Sequence, residues 1–496
     1  MGNILKQLRS RETIIGGLFV LATVLLLGLA TAKLPVLLPL GGVVLAGLAL
    51  FTYRSPFLAL LVITFFLPFE RIGSYDVAGI TVRPSQILAL ILIVVWFLHG
   101  VINRNFRTQK NPIIIPLIAF LLINLVSLTG AANIQRSILV FAFTLFTIGF
   151  SLLIPNYVTD EVKLRRVIRI LLITTTLVAL FGLWQFFGDM IGLPTTLTGL
   201  REHYTKIVFG FPRIQSTALE PLYFANFLLI PIAVIYALLI SRSSSIKMIR
   251  LLPLFILTVL NLVLTVSRGG YLGVIVIILV VSFVYLRKIF RWQFLVSLVV
   301  GIVVVWFFAI RALGFGDVFQ LNAETFLTHI VDSFSGPAYT ERIETFQWAE
   351  EAWRANPILG IGPGQYGPFV SAHPYIEPKE GWKIVNNEFI ELLAETGVLG
   401  LAAFLVVIGS LVIRSLKAIV RARTPYLRAL MTALLAALLG ILAQYMTFSI
   451  LYIMHVWFLI GLMVAVQNII LNPAVTEPDP TPEELASHTT IQPPQP

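Results

Sequence analysis

Three groups of polar residues interrupt an otherwise apolar chain of 496 residues. Gly210-Phe211-Pro212-Arg213, with Ser216-Thr217 and Glu220-Pro221, leads into one apolar run. Ser267-Arg268-Gly269-Gly270-Tyr271-Leu272-Gly273 joins two more. A long polar stretch carries Arg342, the turn Asn356-Pro357-Ile358-Leu359-Gly360-Ile361-Gly362-Pro363-Gly364, and Asn386-Asn387-Glu388-Phe389-Ile390-Glu391. Arginine keeps its charge and offers phosphate oxygens a planar fork of donors. Arg213, Arg268 and Arg342 are therefore candidates for gripping a lipid diphosphate, and glycines beside Arg268 allow a head group close to the backbone. Each has a plainer reading. Arg213 can pair with Glu220 and Arg342 with Glu341 or Glu344, and the glycines can serve a tight turn. Gly362-Pro363-Gly364 is turn chemistry rather than a phosphate cradle. His455 lies inside the last apolar run, as a functional group or a hydrogen-bonded structural one. Glu388 and Glu391 can share a helix face. Glu70 and Asp76 stand isolated, and no dense Asp/His cluster suggests a metal, so neither metal nor other cofactor is expected.

The elements that must position these groups are membrane helices. The chain is 58% hydrophobic and 12% charged, far below the ~25% charge of soluble domains. Its apolar blocks run to roughly 18–25 residues, the length that crosses hydrocarbon. Hydropathy predicts spans near 12–32, 34–53, 56–69, 84–102, 112–131, 135–157, 167–188, 220–240, 249–266, 270–286, 292–312, 396–413, 426–447 and 450–471, the third short enough to be re-entrant. The fold class is thus all-α and polytopic, with about 12–14 transmembrane helices. The net charge of +11 does not point to nucleic acid, because the cations lie in alternate short connections between spans. Those connections mark the cytoplasmic side and place both termini there. No cleavable signal peptide is expected, since the apolar run after the basic start lacks a small-residue cleavage site. The absence of cysteine excludes disulfides and thiolate chemistry.

The organisation read from this pattern has five parts. Residues 1–11 form a cytoplasmic start. Residues 12–312 hold spans with short loops and an outer loop at 189–219. Residues 313–395 form an extracytoplasmic loop domain, in which Thr340 to Ala355 reads as an amphipathic helix. Residues 396–471 return to the membrane, and 472–496 form a Pro-, Thr- and Glu-rich disordered tail. All the long connections, and all three polar groups, fall on the outer side.

Taken together, the three motifs resemble those of the O-antigen ligase and O-antigen polymerase family. The resemblance rests on Ser267 to Gly273, Asn356 to Gly364, and Asn387-Glu388-Phe389-Ile390-Glu391-Leu392-Leu393-Ala394-Glu395-Thr396-Gly397-Val398-Leu399-Gly400. It covers roughly residues 205–415 and implies a GT-C-type glycosyltransferase architecture in the bacterial inner membrane. The implied donor is an undecaprenyl-diphosphate-linked glycan, and the acceptor a glycan, glycolipid or protein. The implied surroundings are the lipid bilayer and further polysaccharide-assembly proteins. By position, Arg213 and Arg268 match the family's diphosphate-holding arginines, with Arg342 a third. The family's ligases carry a histidine directly before the Asn-Glu-Phe-type segment to activate the acceptor hydroxyl; here that position is Asn386. A proton acceptor is still required. His373, in the same loop, and Glu388 are the candidates, with Glu220 a further carboxylate, and Asn386 can orient the acceptor. The altered position favours a polymerase or exopolysaccharide role. A glycolipid transporter without bond-forming chemistry and a non-catalytic scaffold are the competing readings.

Overall fold

The computed structural model describes residues 37–72, 74–77, 80–104, 106, 108–206, 211–243, 248–286, 337–372 and 382–472. The expected spans at 12–32 and 292–312, the tail, and His373 lie outside them.

Lipid offers no partner to backbone N–H and C=O groups, so the apolar runs close their hydrogen bonds as helices. The order is α1 (Leu37–Arg54), α2 (Pro56–Phe66), β1 (Tyr75–Val77), β2 (Ile80–Val82), α3 (Pro84–Ile102), α4 (Ile114–Ser127), α5 (Ile134–Tyr157) and α6 (Glu161–Met190). There follow α7 (Pro221–Ser241), α8 (Met248–Leu264), α9 (Arg268–Val284), α10 (Pro337–Ala355), α11 (Tyr366–Ser371), α12 (Glu388–Arg421), α13 (Pro425–Gln444) and α14 (Met454–Leu471). Among the described residues, seven helices are long and apolar enough to cross a membrane (α3, α5, α6, α7, α12, α13 and α14), and five shorter apolar helices accompany them. The chain is an all-α polytopic membrane protein. The one exception among the described residues is an antiparallel ribbon, β1 on β2, with Tyr75 opposite Val82. Helix α2 has 11 residues, about 16 Å at ~1.5 Å per residue, which is too short to span.

The bundle is organised around α7, α13 and α14. Helix α7 is enclosed by protein around its whole circumference, and α14 nearly so. An apolar helix gains nothing by leaving lipid for other apolar side chains, so close backbone approach is needed to hold it. Glycines provide that approach between α9 and α13. A Cβ on Gly273 would lie 2.9 Å from the Gly440 carbonyl oxygen, and one on Gly440 would lie 2.8 Å from that of Gly273.

Three elements depart from the hydropathy pattern. Helix α6 starts at Glu161 rather than near 167, because Asp160 caps it by accepting from the Lys163 N–H (2.8 Å). Helix α12 starts at Glu388 and bends at Gly397 (φ 66°, ψ −171°), so the apolar run from 396 is only its second arm. Helix α14 starts at Met454 rather than near 450, leaving 445–453 as partly buried non-helical chain. Tyr445 Oη donates to the Ile450 carbonyl (3.1 Å) and Trp457 Nε1 to that of Leu451 (2.7 Å). These side-chain bonds satisfy carbonyls that helix would otherwise have satisfied.

Candidate active site

A continuous series of contacts joins the polar motifs at one end of the bundle. Arg213 leaves the segment between α6 and α7. Its Nε donates to the Thr265 carbonyl (3.2 Å) and an Nη to that of Val266 (3.4 Å), both in the turn between α8 and α9. The backbone reinforces this, with the Ile214 N–H on the Leu264 carbonyl (3.1 Å). The Arg213 guanidinium also lies over the Tyr204 ring, 5.7 Å from its centroid. Burial lowers its pKa from the ordinary value, with Tyr204, Tyr271 and Glu220 opposing; an arginine so placed still carries its charge. The turn that receives Arg213 is the one that launches Arg268, the first residue of α9. Ser267 caps that helix by accepting from the Gly270 N–H (3.2 Å).

The glycines after Arg268 are packing residues. A Cβ on Gly269 would run into Thr447 Oγ1, and one on Gly270 would sit 3.0 Å from the Ala225 Cβ. Their small size therefore seats the start of α9 against the end of α13 and the start of α7. From there the contacts continue to the third motif. The Glu388 N–H donates to the Tyr445 carbonyl (2.8 Å), pinning the start of α12 to the irregular 445–453 segment. Asn387 caps α12, its Oδ1 accepting from the N–H groups of Phe389 (3.1 Å) and Ile390 (3.2 Å). Asn386 takes a left-handed backbone (φ 59°), a conformation asparagine tolerates better than most residues. Thr345 on α10 donates to the Val385 carbonyl (3.3 Å) and to that of Arg342 (2.8 Å). Arg342 is thus one helical turn from the chain that leads into Asn386. Asn387→Ala should cost about 1 kcal/mol through loss of the cap, seen as a lower unfolding temperature of the purified protein. Asn387→Asp should retain most of it.

The glycine-rich turn has a structural role. The N–H groups of Ile361 and Gly362 donate to the carbonyls of Ala394 (3.1 Å) and Glu395 (2.9 Å), and the Val398 N–H to that of Pro357 (3.0 Å). The Glu395 carboxylate accepts from the N–H groups of Gly364 (2.7 Å) and Tyr366 (3.0 Å). Gly360, Gly362, Gly364 and Gly397 all have positive φ. The two halves of the third motif therefore clasp each other across the bend in α12.

Glu70 and His455 acquire partners here that the sequence does not reveal, and Arg136 joins them unforeseen. Glu70 is not isolated. It is buried, and its Oε2 accepts from the Leu219 N–H (3.4 Å) while its Oε1 lies 4.0 Å from His455 Nδ1. Burial raises its pKa from the ordinary carboxylate value, Arg83 opposing. His455 Nε2 meets Asn226 Oδ1 (2.7 Å), and Asn226 Nδ2 donates to Gln444 Oε1 (2.9 Å). His455 is thus a hydrogen-bonded member of a buried polar chain that ends beside Gly269. Arg136, near the start of α5, donates through Nε to the Gly364 carbonyl (2.7 Å) and lies over the Trp382 ring, 5.0 Å from its centroid. An acid at the end of the apolar run 56–69 was the available signal for Glu70. Arg136 had none, because its partners lie more than two hundred residues away.

The fold and this cluster define a membrane protein that gathers its chemistry-bearing side chains at one end of a helical bundle. Residues 253–405, from α8 into the second arm of α12, match the family model described as O-antigen ligase. The matched segment, under a third of the chain, is similar to that family and carries the second and third polar motifs. No curated protein matches it.

Proposed function

We propose that the protein transfers a glycan from undecaprenyl diphosphate to an acceptor hydroxyl at the outer face of the bacterial inner membrane, as a polysaccharide polymerase or O-antigen ligase. The observation that carries this reading is the turn between α8 and α9, where Arg213 is bonded and from which Arg268 emerges. Two fixed charges from separate stretches of chain are thereby mounted on one piece of backbone. The acceptor oxygen attacks the anomeric carbon, the bond from that carbon to the diphosphate oxygen breaks, and the configuration inverts. Arg213 and Arg268, with Arg342 from α10, stabilise charge growing on the departing diphosphate. The orientation follows from the basic connections, which lie at the opposite end of the helices.

The acceptor proton needs a base. Glu388 is buried, and its Oε2 has no hydrogen-bond partner among the described residues. This supports it as the acceptor of that proton, with Asn386 orienting the hydroxyl. Glu388→Gln should reduce transfer about 10²-fold or more, while His373→Ala should retain most of it; the reverse result assigns the base to His373. The test of the whole reading is purified protein incubated with a lipid-diphosphate glycan and candidate acceptors, with product mass as readout. A new glycosidic bond with release of undecaprenyl diphosphate is expected. Movement of intact glycolipid across a vesicle membrane without such a bond would replace this reading with transport.

A further inference from the structure

The opposite end of the bundle holds a crevice that the proposed chemistry does not use. Helices α6 and α8 start at the same end and run side by side. They meet tightly toward the candidate site, where Gly182 faces Asn261 so closely that a Cβ would strike the Asn261 side chain. Toward their starts they leave a crevice of about 380 Å³. Its walls are almost wholly apolar, with Leu172 and Thr176 on α6 and Leu254 and Leu257 on α8. Arg169 and Arg250 line it at the starting end, and the apolar wall follows from Leu172 on α6 and from Leu251 on α8. At ~1.5 Å per residue that wall continues for one to two turns beyond the two charges.

Nearby, Lys163 pairs with Asp160 (3.6 Å) and Arg165 with Glu161 (2.5 Å). Arg169 and Arg250 have no carboxylate partner among the described residues, and both are exposed. A cation that merely snorkels needs only water and a place near the interface. Two cations from different helices, at the same end of one apolar furrow, match a ligand with an anionic head and a long apolar tail. We propose that this crevice binds one anionic phospholipid of the leaflet on that side, with its phosphate between Arg169 and Arg250 and an acyl chain between α6 and α8. Arginine's fork of donors suits the phosphate oxygens. The apolar walls give the chain contacts that bulk lipid around a smooth helix cannot.

The test uses the full chain in detergent with equal amounts of dioleoyl-phosphatidylglycerol and dioleoyl-phosphatidylcholine, and bound lipid counted by native mass spectrometry. One phosphatidylglycerol should be retained in preference to phosphatidylcholine. The double variant Arg169→Gln, Arg250→Gln should weaken that retention about tenfold or more. Thr176→Trp should also abolish it, by filling the crevice with both charges intact. Arg166→Gln should leave it unchanged, because Arg166 is exposed but does not line the crevice. Equal retention of the two lipids, meaning bulk annular lipid only, would overturn the proposal. So would unchanged retention in the double variant, or in Thr176→Trp. Either arginine variant alone gives the same readout should the double variant fail to fold.

Discussion

Arg268→Ala should lower glycan transfer by about 10²–10³-fold, the effect of deleting one preorganised group that meets developing charge. The protein should otherwise remain intact. Arg268 is the first residue of α9, where alanine is at least as good a helix former. The cap from Ser267 and the seating of Gly269 and Gly270 involve neighbouring residues and survive the change. Arg213 is a less clean target, because it also ties the α8–α9 turn through two carbonyls. Arg268→Lys should recover only part of the activity, since an ammonium lacks the planar fork. Transfer rate by product mass, read beside the unfolding temperature, checks both expectations. Near-normal transfer in a well-folded Arg268→Ala protein would remove this arginine from the mechanism.

Gly397→Ala should be strongly damaging, as Gly360→Ala should be for the same reason. Gly397 has φ 66° and ψ −171°, a region that side-chain-bearing residues enter only at a cost of about 1–3 kcal/mol. The added methyl would also strike the Ile358 carbonyl and the Leu359 backbone, neither of which can rotate away. Together these should approach about 4 kcal/mol, the upper range for single substitutions. The damage would fall on the clasp that holds Asn356 to Gly364 against α12. Gly409→Ala is the internal control. It lies in the same helix with no atom within 4 Å of the added methyl, and removing a helical glycine should be neutral or stabilising. Thermal unfolding of the two variants side by side measures the contrast.

Hydropathy located the spans because hydrocarbon enforces them, and most helices begin within a few residues of the apolar runs. Where the reading failed, composition was uninformative. Phe448 to Ile453 is apolar enough to look like helix, yet local bonds from Tyr445 and Trp457 to its carbonyls hold it open. The first arm of α12 carries Glu388, Glu391 and Glu395, so hydropathy opened the run only at 396, although Glu388 and Glu391 read as sharing a helix face. At the site, the three arginine-bearing segments were legible as unusual residues in an apolar chain. The sharing of one turn by Arg213 and Arg268 was not, because it rests on backbone carbonyls, which every sequence possesses. The glycines of the third motif read as turn chemistry, and in the structure they close a clasp. Glu70 was underrated for the same reason that buried polar chains generally escape sequence reading: Leu219 and His455 are distant along the chain.

The irregular 445–453 segment has a consequence for engineering. It touches the start of α12 through Tyr445 and the start of α9 through Thr447, so it is the footing shared by those two helices. A chimera that exchanges only residues 337–395 with a homologue, in order to alter acceptor choice, would set a foreign module on a native mount. Transplanting 445–453 along with it keeps the module and its footing matched.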